Sequence, residues 1–355
     1  MFVAADETFV ILDTMFTESS RADRVFSSGL GKMRRDGQQA SHDGIRRSIE
    51  DTIGRTPLIF LQRLAAGLKG RVAIKLESRN PTGSVKDRVA LALVREAEAD
   101  GRLHPGGTIV AATSGNTGLA LAQIANARGY KVRLTIPEDW AHERLALLLY
   151  MGADVTITPG GGMKLARDRA RALAASSPHV ALLDQFESAS NPEIHRRTTA
   201  KEIWEDSRGE IGAFVTGVGT GGTLVGVATG LRAQGVHVHV VAVEPWSSAV
   251  LSGAPPGSHA IQGIGAGFIP PLYRSELVDE IIPISDDDAF SGARSLANLE
   301  GVLAGASSGA NVRAALTVAA RPSMEGKVVV AMACDSAEPY VIAPRLGSLT
   351  KAGRR

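Results

Sequence analysis

The sequence predicts an α/β fold of two lobes, each a mostly parallel twisted sheet flanked by helices, with a cleft between them. Three observations carry that prediction. Short β-rich runs alternate with amphipathic stretches from residue 71 to residue 333, which is the pattern of parallel βαβ units. The runs number nine, more than one comfortable sheet half, which favours two sheets. The chain is rich in glycine, and many of its 39 glycines fall just after those runs, where ligand-binding turns belong in such sheets.

Composition narrows the class. With 355 residues and 44% hydrophobic side chains, the chain can form one large or two medium domains, each with its own core. Lys+Arg 39 against Asp+Glu 37 gives a net charge of +2, and both signs are scattered, so neither a nucleic-acid nor a membrane-surface partner is expected. The single cysteine, Cys334, cannot close an intramolecular disulfide, and no Cys/His cluster has metal-ligand spacing. A reducing cytoplasm is the expected compartment and no metal site is expected. No apolar run reaches transmembrane length. Residues 1–44 mix Asp6, Glu7, Asp13, Glu18 and Asp23 with Arg21, Arg24, Arg34 and Arg35, which fits neither a secretory signal nor an acid-poor transit peptide. That segment reads as a mostly loose N-terminal extension, and 346–355 as a C-terminal tail.

In chain order, the run at 71–77 leads into Asn80-Pro81-Thr82-Gly83-Ser84-Val85-Lys86-Asp87-Arg88 and a helix over 85–100. Ser84 suits the N-cap. Lys86 then falls in the first turn, where a permanent cation opposes the helix dipole, so the neutral amine or its conversion to an imine is favoured. Most lysines at helix starts are merely solvated, and this loop alone is weak evidence. The run at 108–113 opens into Thr113-Ser114-Gly115-Asn116-Thr117-Gly118 and a helix over 117–128. Short donors spaced by glycines suit either capture of a small carboxylate at a helix N-terminus or an ordinary turn capped by Thr113 or Ser114. Further runs at 131–137, 154–159 and 179–184 alternate with helix-like segments at 142–151, 163–176 and 191–207.

After the run at 213–219 comes Gly217-Val218-Gly219-Thr220-Gly221-Gly222-Thr223. Its amides and threonine hydroxyls could surround a phosphate with no cationic side chain, since the helix N-terminus supplies partial positive charge. Gly217, Gly219 and Gly222 also satisfy the dinucleotide fingerprint, with Glu244 at the end of the 237–244 run, so an NAD-dependent dehydrogenase is a rival reading. Against it, the fingerprint ordinarily opens the first βα unit of its domain, and this one comes late. Beyond the run at 280–285, Gly305-Ala306-Ser307-Ser308-Gly309 separates Val302-Leu303-Ala304 from a helix beginning near Ala310. A hydroxyl there could face a heterocyclic nitrogen or simply cap the helix. The last run is 327–333.

Taken together and in this order, the loops resemble the cysteine synthase (O-acetylserine sulfhydrylase) family of pyridoxal-phosphate (PLP) enzymes of fold type II, which share their architecture with cystathionine β-synthase and the tryptophan synthase β-subunit. The likeness runs from about Ile49 to Tyr340 and also draws on 191–200 and 261–268. It implies a larger PLP-binding domain over 45–79 and 191–345 and a smaller mobile domain over 80–190. By the same resemblance Lys86 forms the Schiff base with PLP and Asn116 contacts the cofactor's 3′-oxygen. Gly219, Thr220, Gly221, Gly222 and Thr223 hold its phosphate, and Ser307 faces the pyridine nitrogen. Thr113, Ser114, Thr117 and Gln185 bind the substrate carboxylate, and the segment from Gly263 to Gly267 lines the cleft. His195 belongs to the family's structural helix-start motif and receives no chemistry.

The implied reaction is β-replacement on an O-activated L-serine through an aminoacrylate, with O-acetyl-L-serine and sulfide giving L-cysteine and acetate. Lys86 serves as both anchor and base. The implied partners are an amino-acid substrate, a small nucleophile, a second copy in a homodimer and a serine acetyltransferase. The chain departs from the family in four stretches: Glu138-Asp139-Trp140-Ala141-His142-Glu143-Arg144-Leu145, Ser188-Ala189-Ser190-Asn191, Ala111-Ala112 and Ala333-Cys334. These leave the cofactor set intact and keep open the leaving group and the nucleophile, so a cystathionine β-synthase-type reaction or another β-substitution is the alternative.

Overall fold

The computed structural model describes residues 44–341 apart from 114, 139–143, 161 and 178. The N-terminal extension, save Gly44, and the C-terminal tail lie outside the described residues, as do Ser114 and Trp140. The described residues from Arg46 onward belong to one compact unit. Its elements run β1 Leu58–Phe60, β2 Arg71–Leu76, α1 Lys86–Ala99, β3 Thr108–Ala112, α2 Asn116–Arg128, β4 Lys131–Pro137, α3 Leu145–Tyr150, β5 Asp154–Thr158, α4 Gly162–Ala175 and β6 Val180–Leu182. They continue with α5 Ser190–Ile194, a π-helical turn at His195–Thr199, α6 Ala200–Asp206, β7 Ile211–Gly217, α7 Gly222–Arg232, β8 His239–Pro245, β9 Glu280–Ile284, α8 Asp286–Glu300, α9 Ala306–Ala319, β10 Val328–Ala333 and α10 Glu338–Val341.

Two sheets form, one of six strands in the order β1-β2-β10-β7-β8-β9 and one of four in the order β5-β4-β3-β6. Every pairing is parallel except β1 against β2. The central strands are covered on both faces, so they read as continuous apolar runs rather than alternating ones. Every residue of β10 is buried, from Val328 to Ala333. On one face of the large sheet, Val72, Ile74, Val215 and Val329 pack with Ala310, Ala314 and Val318 of α9. On the other, Ala73, Phe214 and Val330 pack with Ile203, Val227 and Leu231. In the small sheet, Ile109 and Leu134 meet Leu93, Leu121 and Ile124 of α1 and α2, while α4 covers the opposite face through Ala166 and Ala170.

Helix α7 is seated by absence of side chain. A Cβ at Gly222 would lie 2.0 Å from Asn191 Oδ1, at Gly226 2.1 Å from the Pro192 carbonyl oxygen, and at Gly230 2.5 Å from Ala200 Cβ. These three positions, four apart, share one helix face, and they let α7 lie against the Asn191 side chain, the backbone of Pro192 and Arg196 in α5 and the π turn, and Ala200 of α6.

Three elements differ from the sequence-based expectation. Strand β1 goes beyond the expected runs; it is a three-residue antiparallel edge with Phe60 exposed, too short for a periodic signal. Helix α9 starts at Ala306, not near Ala310, because Gly305 takes extended N-cap geometry. The segment expected as one helix over 191–207 is helical from Ser190 to Asp206 and carries the π turn in its middle.

Candidate active site

Parallel strands bring loops to the C-terminal edge of a sheet, and the large sheet's central strand carries the start of α1 with it. The Val85 N–H donates to the Cys334 carbonyl at 2.9 Å, the Ser336 N–H to the Gly83 carbonyl at 3.3 Å, and Ser84 bridges to Asp335. The turn 83–85 is thereby stitched to the end of β10. Lys86 is the first residue of α1. The N-cap by backbone geometry is Val85, without a side-chain cap, rather than Ser84; the Ser84 hydroxyl instead accepts from the Lys86 N–H at 3.2 Å. Burial of the Lys86 amine lowers its pKa, while Cys334, Asp335 and Glu77 oppose that shift. Burial also pushes the Cys334 thiol up to about 12 and raises the Asp335 carboxyl.

The glycine loop follows β7. A Cβ at Gly219 would stand 2.3 Å from the Gly263 carbonyl oxygen and one at Gly217 2.5 Å from Ile264 Cγ2, so the loop and the Gly263 segment lie in direct backbone contact. Gly221 caps α7 with φ +84°, a left-handed conformation that costs glycine nothing. Gly222 and Thr223 then form the first turn. Amides at a helix start, with the Thr220 and Thr223 hydroxyls, make an anion cradle without a cation. Ser307, 4% exposed, sits in the first turn of α9.

The small sheet contributes the loop after β3. Thr113 does not cap α2, whose N-cap is Gly115; its hydroxyl accepts from the Gly115 and Gly118 amides at 3.0 and 3.1 Å. The Thr117 hydroxyl donates to Gln185 Oε1 at 2.8 Å. Two contacts join this side to the large sheet. Asn116 Nδ2 donates to Asp335 Oδ2 at 2.7 Å. Asn191 Nδ2 donates both to the Gln185 carbonyl at 2.7 Å and to the Thr220 hydroxyl at 3.0 Å. The sequence-predicted residues therefore gather around one locus, with Ser114 outside the described residues.

The structure adds residues that sequence reasoning left without a role. Asp335 accepts from Asn116 and from the Tyr340 hydroxyl, while its Oδ1 is buried with no hydrogen-bond partner. Arg144 lies 3.8 Å from Asp335 and 4.7 Å above the Tyr340 ring. Beneath α1, Arg88 makes a bidentate contact with Glu77 at 2.7 and 2.9 Å and another with Glu202 at 2.6 and 2.7 Å. Burial alone would raise the Glu77 carboxyl, but Arg88 holds it below the usual carboxylate range. Asn191 ends the stretch Ser188-Ala189-Ser190-Asn191 and Asp335 directly follows Ala333-Cys334; nothing local signals their side-chain partners.

Glu244 cannot serve the dinucleotide reading. It is 1% exposed, and its oxygens accept from the Leu251 amide at 2.8 Å and from the amide and hydroxyl of Ser252 at 3.1 and 2.5 Å. Its role is to fold its own loop.

The comparisons with known proteins agree with the cofactor reading. The family described as "Pyridoxal-phosphate dependent enzyme" matches residues 49–335. Cysteine synthase A of Escherichia coli (strain K12) is 47% identical over 300 residues, which cover 82% of this chain and 92% of the relative. Among solved structures, cysteine synthase from Entamoeba histolytica superposes with a TM-score of 0.81 at 40% identity over 87% of this chain and 93% of that one. O-ureido-L-serine synthase superposes with a TM-score of 0.82 at 41% identity over 86% and 96%. By the match to most of its length and by these relatives, the chain belongs to the pyridoxal-phosphate dependent enzyme family and is a relative of the cysteine synthases within it.

Proposed function

We propose that this enzyme is a cysteine synthase, converting O-acetyl-L-serine and sulfide to L-cysteine and acetate. The observation that carries the proposal is the partly buried Lys86 at the start of α1, with its amine beside Cys334 and Asp335 at the end of β10. The residues present fit pyridoxal phosphate. A glycine cradle that a Cβ at Gly219 would fill, a helix N-terminus with two threonine hydroxyls and an amine held toward its neutral form suit its phosphate and aldehyde. When bound, the cofactor supplies the electron sink that acidifies the substrate α-carbon.

The protein's own groups do the rest. Gly219, Thr220, Gly221, Gly222 and Thr223 would hold the phosphate, Ser307 would meet the ring nitrogen with a neutral hydroxyl, and Asn116 would meet the 3′-oxygen. Thr113, Ser114, Thr117 and Gln185 would hold the substrate carboxylate. The Lys86 amine would anchor the cofactor and, with substrate bound, would take the α-proton and later return it. The β-carbon–oxygen bond breaks as acetate departs, and a β-carbon–sulfur bond forms with sulfide. A lowered amine pKa serves this role, because a permanently protonated lysine could not accept the proton.

Closure of the small sheet with its flanking helices, residues 80–190, over the substrate carboxylate would exclude water while the β-carbon is reactive. A homodimer, association with a serine acetyltransferase and a cytoplasmic location follow as further parts of this reading; among the described residues no helix is long and apolar enough to cross a membrane. A second reading keeps the chemistry and changes the nucleophile. The likeness to O-ureido-L-serine synthase and the altered stretch around Trp140 favour it.

The test is the visible absorbance of the purified holoenzyme on addition of O-acetylserine and then sulfide, beside Lys86→Ala. A band that shifts with O-acetylserine and recovers with sulfide, and that the variant lacks, is the expected result. A cofactor band indifferent to O-acetylserine would move the assignment to another serine ester, and recovery with a different nucleophile only would favour the second reading.

A further inference from the structure

His195 is the first residue of the π turn, is 0% exposed and has one threonine hydroxyl on each ring nitrogen: Nδ1 is 2.9 Å from Thr199 Oγ1 and Nε2 is 3.2 Å from Thr223 Oγ1. The ring reaches the first turn of α7 because Gly226 presents no side chain; a Cβ there would stand 2.6 Å from His195 Cβ. Single π turns inside helices recur at functional sites, and this one puts an imidazole directly behind a threonine of the glycine cradle. Burial, reinforced by the nearby charge of Arg88, pushes the His195 pKa down to about 3. The ring therefore carries one proton, and its two hydrogen bonds must run in the same direction, one donated and one accepted.

Only one of the two directions suits an anion beyond Thr223. A phosphate oxygen accepts and never donates, and Thr223 has a single hydroxyl proton. If that proton is given to Nε2, the hydroxyl turns its lone pairs on the phosphate. If instead Nε2–H donates to Thr223, the hydroxyl proton is free for the phosphate, and Nδ1 accepts from Thr199.

We propose that His195 is a positioning residue for the cofactor phosphate: its Nε2–H tautomer, fixed by Thr199, orients the Thr223 hydroxyl so that it donates outward. This rests on the reading of 219–223 as the phosphate cradle. The chain of donation runs Thr199 to His195 to Thr223 to phosphate, and no proton is transferred along it. Binding of the phosphate and choice of tautomer are linked, each favouring the other.

The experiment uses the holoenzyme with 15N-labelled histidine. Of the 8 histidines, the His195 signals are those lost in His195→Gln. A proton-bearing Nε2 and a bare Nδ1 at pH 7 are expected; a proton on Nδ1 in the holoenzyme overturns the proposal, whatever the variants do. Cofactor dissociation constants give the second readout. Thr223→Val should bind pyridoxal phosphate about 10- to 100-fold more weakly, the value of a hydrogen bond to a charged group. His195→Leu and His195→Asn, the latter with its amide in the Nδ1 position, should weaken it by roughly tenfold, while His195→Gln, whose amide can reach Thr223, should stay within about threefold. If Thr223→Val loosens the cofactor but His195→Leu and His195→Asn do not, the positioning role is wrong and the cradle stands. If Thr223→Val changes nothing, the cradle reading fails and takes this proposal with it.

Discussion

Replacing Arg88 by methionine tests whether the charges beneath α1 act as one unit. The guanidinium is 1% exposed and saturates Glu77, which is 0% exposed, and Glu202, whose side chain is 15% exposed. In Arg88→Met the two carboxylates fare differently. Glu202 keeps Lys75 at 2.9 Å. Glu77 keeps only neutral donors, the Thr56 hydroxyl at 2.6 Å and Asn80 Nδ2 at 2.8 Å. An uncompensated buried charge after loss of its partner costs about 3–5 kcal/mol, and with one of two carboxylates stranded the lower end, roughly 3 kcal/mol, is expected. Adding Glu77→Gln removes the stranded charge, so the double variant should lie within about 1–2 kcal/mol of the parent, the worth of the lost hydrogen bonds. Urea unfolding of the holoenzyme, followed by far-ultraviolet circular dichroism, measures all three proteins. The single variant should also gain stability as pH falls below neutrality. Its Glu77 would have a folded pKa above the unfolded one, and the folded state would bind the extra proton. A single variant within 1 kcal/mol of the parent, or a double variant no better than the single, would refute the view that Glu77 depends on Arg88.

Other perturbations follow from the same geometry. Gly219→Ala forces a methyl against the Gly263 carbonyl, 2.3 Å away; because the obstacle is backbone, about 1–3 kcal/mol of strain is expected. Equilibrium titration should show cofactor affinity falling by tenfold or more, about what that strain implies, with an unchanged circular dichroism spectrum. Tyr340→Phe removes a donor from the buried Asp335 carboxylate and should cost about 1.5–3 kcal/mol, readable as a lower melting temperature. The folded pKa of His195, about 3, lies below its ordinary 6.5, so the unfolded chain binds the extra proton. Stability is complete above pH 6.5 and lost as pH falls toward 3, by about 1.4 kcal/mol per unit or about 2 kcal/mol between pH 6.5 and 5. His195→Gln should lack that component, and parallel denaturation curves for the two proteins through this range would contradict it.

Much of the site was legible because its chemistry is local in the chain. Lys86, the Thr113–Thr117 turn and the Gly217–Thr223 loop each sit between a strand and a helix, and parallel topology brings such turns to one edge. What could not be read is pairing across the chain. Asn116 meets Asp335 across 219 positions and His195 meets Thr223 across 28, and neither distance leaves a periodic or compositional trace. Glu244 misled for the converse reason. Its position after β8 matched the dinucleotide acid, while its commitment to Leu251 and Ser252 depends on how the following loop returns. Likewise, Ala306-Ser307-Ser308-Gly309 has the composition of a turn, and only the extended Gly305 reveals that it is already helix.

The bare face of α7 has a consequence for heat and sequence change alike. Where two helices meet through side chains, rotamers can shift and absorb a disturbance. At Gly226 and Gly230 α7 offers no side chain to shift and meets the backbone of Pro192 and Arg196, so this stretch of α7 and the segment beneath it are coupled closely. The first turn of α7 is then insulated from repacking in the surrounding core, and a substitution that loosens that core should lower the melting temperature long before it blurs the geometry at Thr223.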